Sequence, residues 1–123
     1  MNAIRTFRDL VALQKARDLD CRIYTATSLM PRKEQFGLTN QMRRASISVP
    51  SNIAEGYARQ SLKDYMKHLR IARASLAELS TQWELTQRMK MIVDDQTLTA
   101  LIVEVDRIIQ GLLMKLAAKR PKK

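Results

Sequence analysis

Apolar residues return every three or four positions along four stretches of the chain, and the breaks between the stretches are short. The first stretch, residues 7–27, places Leu10, Leu13, Ala16, Ile23 and Tyr24 on the apolar side of a helix. Met30-Pro31-Arg32-Lys33 ends it, because the residue before a proline is pushed out of the α region. A loop holding Phe36, Gly37 and Leu38 follows. The second stretch, residues 40–58, takes Thr39 as its N-cap and aligns Met42, Ala45, Ser46, Val49 and Ile53. Pro50 lies inside it, where a missing N–H and a ring clash predict a kink or a break. Gly56 predicts its end.

Ser61-Leu62-Lys63-Asp64 resembles a capping box, with Asp64 in place of the usual Glu. It opens a third stretch, residues 62–90, striped by Leu62, Tyr65, Leu69, Ala72, Leu76, Leu79 and Trp83. Asp94 or Asp95 opens the fourth, residues 95–118, which buries Leu98, Leu101, Val105, Ile108, Ile109, Leu112 and Leu116. Four helices on short links predict an all-α, up-down-up-down four-helix bundle over residues 1–118, with a basic tail at 119–123. The chain shows no internal repeat.

Some apolar residues fall off these stripes. Ile47 and Ala54 leave the Met42/Val49/Ile53 line, Ile71 opposes the main stripe of its helix, and Val103 and Met114 point outward. Single exposed apolar residues are ordinary. Taken together, Ile47, Ile71, Val103 and Met114 predict a second buried surface, and hence a homo-oligomer.

Composition agrees with helices. Aromatics make up only 5% of 123 residues, and there are three Gly and three Pro. A chain this long buries roughly two-thirds of its unfolded surface, enough for one core and one domain. Charge adds something new. Against 12 acidic residues stand 22 Lys and Arg, a formal charge of +10. Such an excess repels itself and suits a polyanionic partner.

Lys63, Lys67 and Arg70, spaced four and three apart, gather on one side of the third helix, and Arg73 flanks them. Cations so spaced can follow a phosphate backbone and release its counterions. They equally suit a solvated helix face. Arg43 and Arg44 project about 100° apart, so one serves a binding patch while the other pairs with Glu55 or with a neighbouring subunit. Lys115, Lys119, Arg120, Lys122 and Lys123 complement the dipole at a helix C-terminus and also form a basic tail.

Other chemistry is missing from the sequence. Cys21 stands alone and reads as a small core residue, and His68 is the single histidine. There is no Gly-rich phosphate loop, paired-Cys motif or HExxH motif. Glu55, Glu78, Glu84 and Glu104 lack the histidine partners of a di-metal bundle site. The expectation is therefore a protein that is not an enzyme and uses no cofactor or metal. No apolar run approaches the ~20 residues of a membrane span, and no signal core precedes the first helix, so a cytoplasmic location is expected.

Residues 36–61, FGLTNQMRRASISVPSNIAEGYARQS, resemble the signature of the four-helix-bundle family named for proteins encoded in intervening sequences of 23S ribosomal RNA genes. Residues 65–79, YMKHLRIARASLAEL, resemble its third helix, and Phe7-Arg8-Asp9-Leu10, Ala16, Tyr24 and the Pro31/Glu34 turn also match. Asn52-Ile53-Ala54-Glu55-Gly56 is the most specific part. Ala74 departs from the pattern, where relatives often carry Gly before Ser75. The resemblance implies a left-handed bundle assembling as a ring-like homopentamer. It is similar in fold to the accessory variability proteins of diversity-generating retroelements, which bind nucleic acid and a reverse transcriptase. For Asn52 and Glu55 the expected role is hydrogen bonding between helices or subunits.

The leading expectation is an oligomeric scaffold that binds RNA or DNA through Arg43, Arg44, Lys63, Lys67, Arg70 and Arg73. The alternative is a protein-interaction adaptor, for example for a reverse transcriptase. A weaker third is a small-molecule or metal site between helices.

Overall fold

The computed structural model describes residues 7–119. It holds four α-helices, α1 (Phe7–Thr27), α2 (Leu38–Ala58), α3 (Leu62–Arg88) and α4 (Gln96–Ala118), with a single 3₁₀ turn at Arg32–Glu34 and no strand among the described residues. Both α1 and α3 pack against α2 and α4, so the four helices enclose one bundle core.

Helix α1 buries Ala12, Ala16, Leu19, Ile23 and Ala26, spaced four, three, four and three apart. Leu10 and Tyr24, expected inside, are 61% and 41% exposed. The reason is angular: Leu10 lies two residues from Ala12 and Tyr24 one from Ile23, so each turns well off the alanine-rich line. Cys21, two residues from both Leu19 and Ile23, is likewise exposed and not part of the core. Three small residues on the inner line let neighbouring helices come close.

Helix α2 keeps its expected inner face, with Met42, Ala45, Ser46, Val49 and Ile53 all buried. Its ends differ from expectation. Gly37 is the N-cap, two residues before the expected cap Thr39, which is instead a buried residue of the first turn. Glu34 supplies the missing capping group, its carboxylate accepting the Leu38 N–H at 3.4 Å. Pro50 does not interrupt the helix. Buried Ser46, Val49 and Ile53 anchor the turns on either side of it, and tertiary packing overrides the local cost.

Gly56 does not end α2; it is buried within it. A Cβ there would stand 2.6 Å from the His68 Cβ and 3.2 Å from Tyr65 Cδ1. Glycine is required because α3 passes too close for any side chain. The turn falls instead at Gln60, whose φ of 57° reverses the chain into α3. Ser61 caps α3 as expected, its hydroxyl accepting the Asp64 N–H at 3.3 Å. Lys90, with φ 56°, closes the turn after Arg88, so α3 stops short of the expected residue 90. Of the two aspartates offered for α4, Asp95 is the cap, accepting the Leu98 N–H at 3.1 Å. Ile102 is buried on α4, whereas Leu101 and Ile108 sit at the core's edge.

Polar pairs tie the helices at defined levels. The Ser46 hydroxyl donates to Asp20 on α1 at 2.7 Å, and the Trp83 indole donates to Thr99 on α4 at 2.9 Å. The Tyr65 hydroxyl donates to the buried Asp9 carboxylate at 2.5 Å. Burial, and then this bond, push the Tyr65 phenol well above its ordinary range.

Beyond Gly56 the α2/α3 seam is a chain of hydrogen bonds. Ser48 and Ser75 hydroxyls meet at 2.8 Å, and the Asn52 amide donates to the Ser48 carbonyl at 2.9 Å. That bond orients the amide, leaving Asn52 Oδ1 to accept from His68 Nδ1 at 3.0 Å. Glu55 lies 3.6 Å from His68 Nε2 and accepts from Arg59 at 2.9 Å. The Arg59 hydrogen bond, then the His68 charge, lower the Glu55 carboxyl below its ordinary value. Asn52 thus hydrogen-bonds between helices within one chain, whereas the hydrogen bond of Glu55 stays at the end of α2, with Arg59, and His68 faces it at ion-pair distance.

Two glycines give opposite expectations. Gly56→Ala overpacks the seam and should cost about 1–3 kcal/mol in urea unfolding. Gly111, in the interior of α4 with nothing within 4 Å of an added Cβ, should gain up to about 1 kcal/mol as alanine. Tyr65→Phe removes the donor to a buried carboxylate and should cost about 1.5–3 kcal/mol in the same assay. Since the folded Tyr65 value lies above the ordinary 10.0, its stabilisation is complete below pH 10 and declines as pH rises above it. Glu55 acts in the other direction: its contribution is complete above pH 4.5 and is lost as pH falls through the lowered value. Stability measured between pH 3 and 6 should therefore vary less with pH in Glu55→Gln than in the wild type.

Candidate nucleic-acid interface

The six cations singled out from the sequence fall into two kinds once the helices are packed. Lys63, Lys67 and Arg70 are exposed on α3, and none forms an ion pair among the described residues. They span two turns of the helix, on the side away from Leu69, Leu76 and Trp83. Asp64 is the acid beside them in sequence, and it too enters no ion pair among the described residues.

Arg73 belongs elsewhere. Its guanidinium turns to α4 and meets Asp106 at 2.8 and 3.4 Å. Those hydrogen bonds, and then the carboxylate charge, raise the Arg73 pKa, and the Asp106 carboxylate offsets the guanidinium's positive charge locally. Arg43 is also engaged. It donates to the Thr27 hydroxyl at 2.8 Å and to the Tyr24 carbonyl at 3.4 Å, and lies 4.7 Å over the Tyr24 ring. Helix α1 has no basic residue in its own last turn, and Arg43 supplies that positive charge from α2.

Arg44 is exposed and has no ion pair among the described residues, but it does not join the α3 group. It lies one turn before Ser48, which pairs with Ser75, whereas Lys63 lies about 18 Å along α3 from Ser75. Glu55 takes Arg59 and His68 as partners, not Arg43 or Arg44. Of the basic tail, Arg120, Lys122 and Lys123 lie outside the described residues.

Ile47, Ile71, Val103 and Met114 are 47%, 39%, 45% and 68% exposed, so none is used by the core. The carboxylates of Glu55, Glu78, Glu84 and Glu104 all lie on the exterior and do not converge. No group of three or more metal-ligating side chains forms among the described residues. No described helix is long and apolar enough to cross a membrane.

Sequence reasoning missed two cations. Arg8 and Arg107 join Lys115 around an apolar groove between α1 and α4. They are far apart in sequence, and only packing of the two helices brings them together.

Comparison with known proteins agrees with this fold. A crystal structure of a protein of unknown function from the S23 ribosomal protein family of Bacteroides thetaiotaomicron superimposes with a TM-score of 0.81 at 22% identity. The match covers 88% of this chain and 99% of that one. Among curated proteins none matches. The family model described as 23S rRNA-intervening sequence protein matches residues 8–112, a span from the first turn of α1 deep into α4. The chain belongs to the family of 23S rRNA-intervening sequence proteins.

Proposed function

We propose that this protein is a basic, non-enzymatic scaffold that binds RNA or DNA largely through phosphate contacts. One observation carries the reading: Lys63, Lys67 and Arg70 share one exposed helix face with no ion pair to neutralise them among the described residues. Arg44 adds a separate contact further along the surface. Arg43 and Arg73 leave the set of contacts, because their charges serve α1 and Asp106.

The scaffold is a homo-oligomer, with a pentamer as the expected size. Exposed Ile47, Ile71 and Val103 support association, since the monomer leaves them outside its core, while Met114 lies in the groove between α1 and α4. Several copies multiply weak sites through avidity where geometry allows. Within each copy the helices run up-down-up-down, a reading supported by cross-helix pairs such as Ser46–Asp20, Ser48–Ser75, Arg73–Asp106 and Lys15–Glu104. Such a protein works in the cytoplasm. A second reading, a protein-interaction adaptor, is favoured by the apolar groove between α1 and α4.

Binding of a labelled RNA hairpin, followed by fluorescence anisotropy from 50 to 300 mM salt, tests the first reading. Affinity should fall steeply with salt. Each phosphate that a cation neutralises adds about 0.7–0.9 to the log–log slope, so Lys63→Glu/Lys67→Glu/Arg70→Glu should flatten it by about 2–3. A folded triple variant with wild-type affinity and slope would clear this face of any role.

A further inference from the structure

We infer that the groove between α1 and α4 is a docking site for an acidic amphipathic helix of a partner protein. Its volume is about 590 Å³, and its floor is apolar, with buried Leu112, half-buried Val11 and Ile108, and Met114 at 68% exposure. Gly111 opens that floor. It is exposed in the interior of a 23-residue helix, and nothing lies within 4 Å of a Cβ added there. Gly56 is explained by the passage of α3, but Gly111 has no such reason inside the molecule. A glycine with open space above it lets another backbone come close.

Charge selects the occupant. Arg8, Arg107 and Lys115 border the groove, no carboxylate lines it, and none of the three enters an ion pair among the described residues. Arg107 and Lys115 are about 12 Å apart along α4, close to the spacing of carboxylates seven or eight residues apart on a docking helix. A phosphodiester chain has nothing to place on Val11, Ile108 and Met114. An apolar stripe flanked by Glu or Asp satisfies floor and rim together. This face uses none of Lys63, Lys67 and Arg70, so the inference rests on the adaptor reading and stands apart from the nucleic-acid one.

The probe is a labelled 21-residue peptide patterned as a helix, with Leu and Ala on one face and Glu along both flanks. Its control has the same residues in scrambled order. The whole protein should bind the patterned peptide at least tenfold more tightly than the control. Gly111→Leu, whose Cβ has nothing within 4 Å and whose longer side chain enters the groove, should weaken that binding tenfold or more with an unchanged circular dichroism spectrum. Arg107→Glu/Lys115→Glu should weaken it similarly. Lys63→Glu/Lys67→Glu/Arg70→Glu should leave peptide binding intact, which separates this site from the α3 face. The inference fails if wild type does not distinguish the two peptides, or if folded Gly111→Leu binds as wild type does. A sedimentation mass that drops on Gly111→Leu would assign the groove to a second copy. Loss of RNA-hairpin binding in that variant would assign it to nucleic acid; either result overturns the inference.

Discussion

The close approach of α2 and α3 at Gly56 is the constraint on which the rest of the bundle depends. With 2.6 Å between the His68 Cβ and the place of a missing side chain, the two helices are locked in both rotation and level. Asn52 then meets His68, and Ser48 meets Ser75. Tyr65, one turn back from the contact, is carried inward to Asp9, so the same approach ties in α1. The most specific stretch of the family signature, Asn52 to Gly56, therefore works as a packing device. Its polar side chains are engaged by other atoms of the same molecule.

Helix identity was legible because the inner lines of α2 and α3 are built from residues whose size and polarity leave little choice. Met42, Val49 and Ile53, or Leu69, Leu76 and Trp83, can face only one way. Helix α1 misled because its inner line is rich in alanine, while larger Leu10 and Tyr24 lie outside. Alanine carries little hydrophobic signal yet decides how near two helices come. Gly56 misled in another way. A glycine near a helix end reads as a terminator, and only the neighbouring helix reveals that it marks a contact.

The basic surface was legible in number but not in allocation. Counting places Arg73 with Lys63, Lys67 and Arg70, three residues from the last of them. The level of α4 beside α3 removes it, because Asp106 lies opposite. Arg43 is withdrawn by the end of α1, a structure sixteen residues away in sequence. Conversely, Arg8 and Arg107 look like scattered surface charges until α1 and α4 are packed. A net charge of +10 thus overstates what any one face presents, since the unpaired cations are divided among several faces.

Trp83 is the chain's single indole, buried at 3% exposure with its N–H bound to Thr99 at the start of α4. Its intrinsic fluorescence therefore reports on one joint of the molecule, where α3 leads into α4. Tyr65 and Asp9 lie at the other end of α3, beside the start of α1. The protein thus carries a native optical reporter at one end of its third helix, with no dye attached. Following it beside far-ultraviolet circular dichroism during denaturation would reveal whether that joint melts together with the helices.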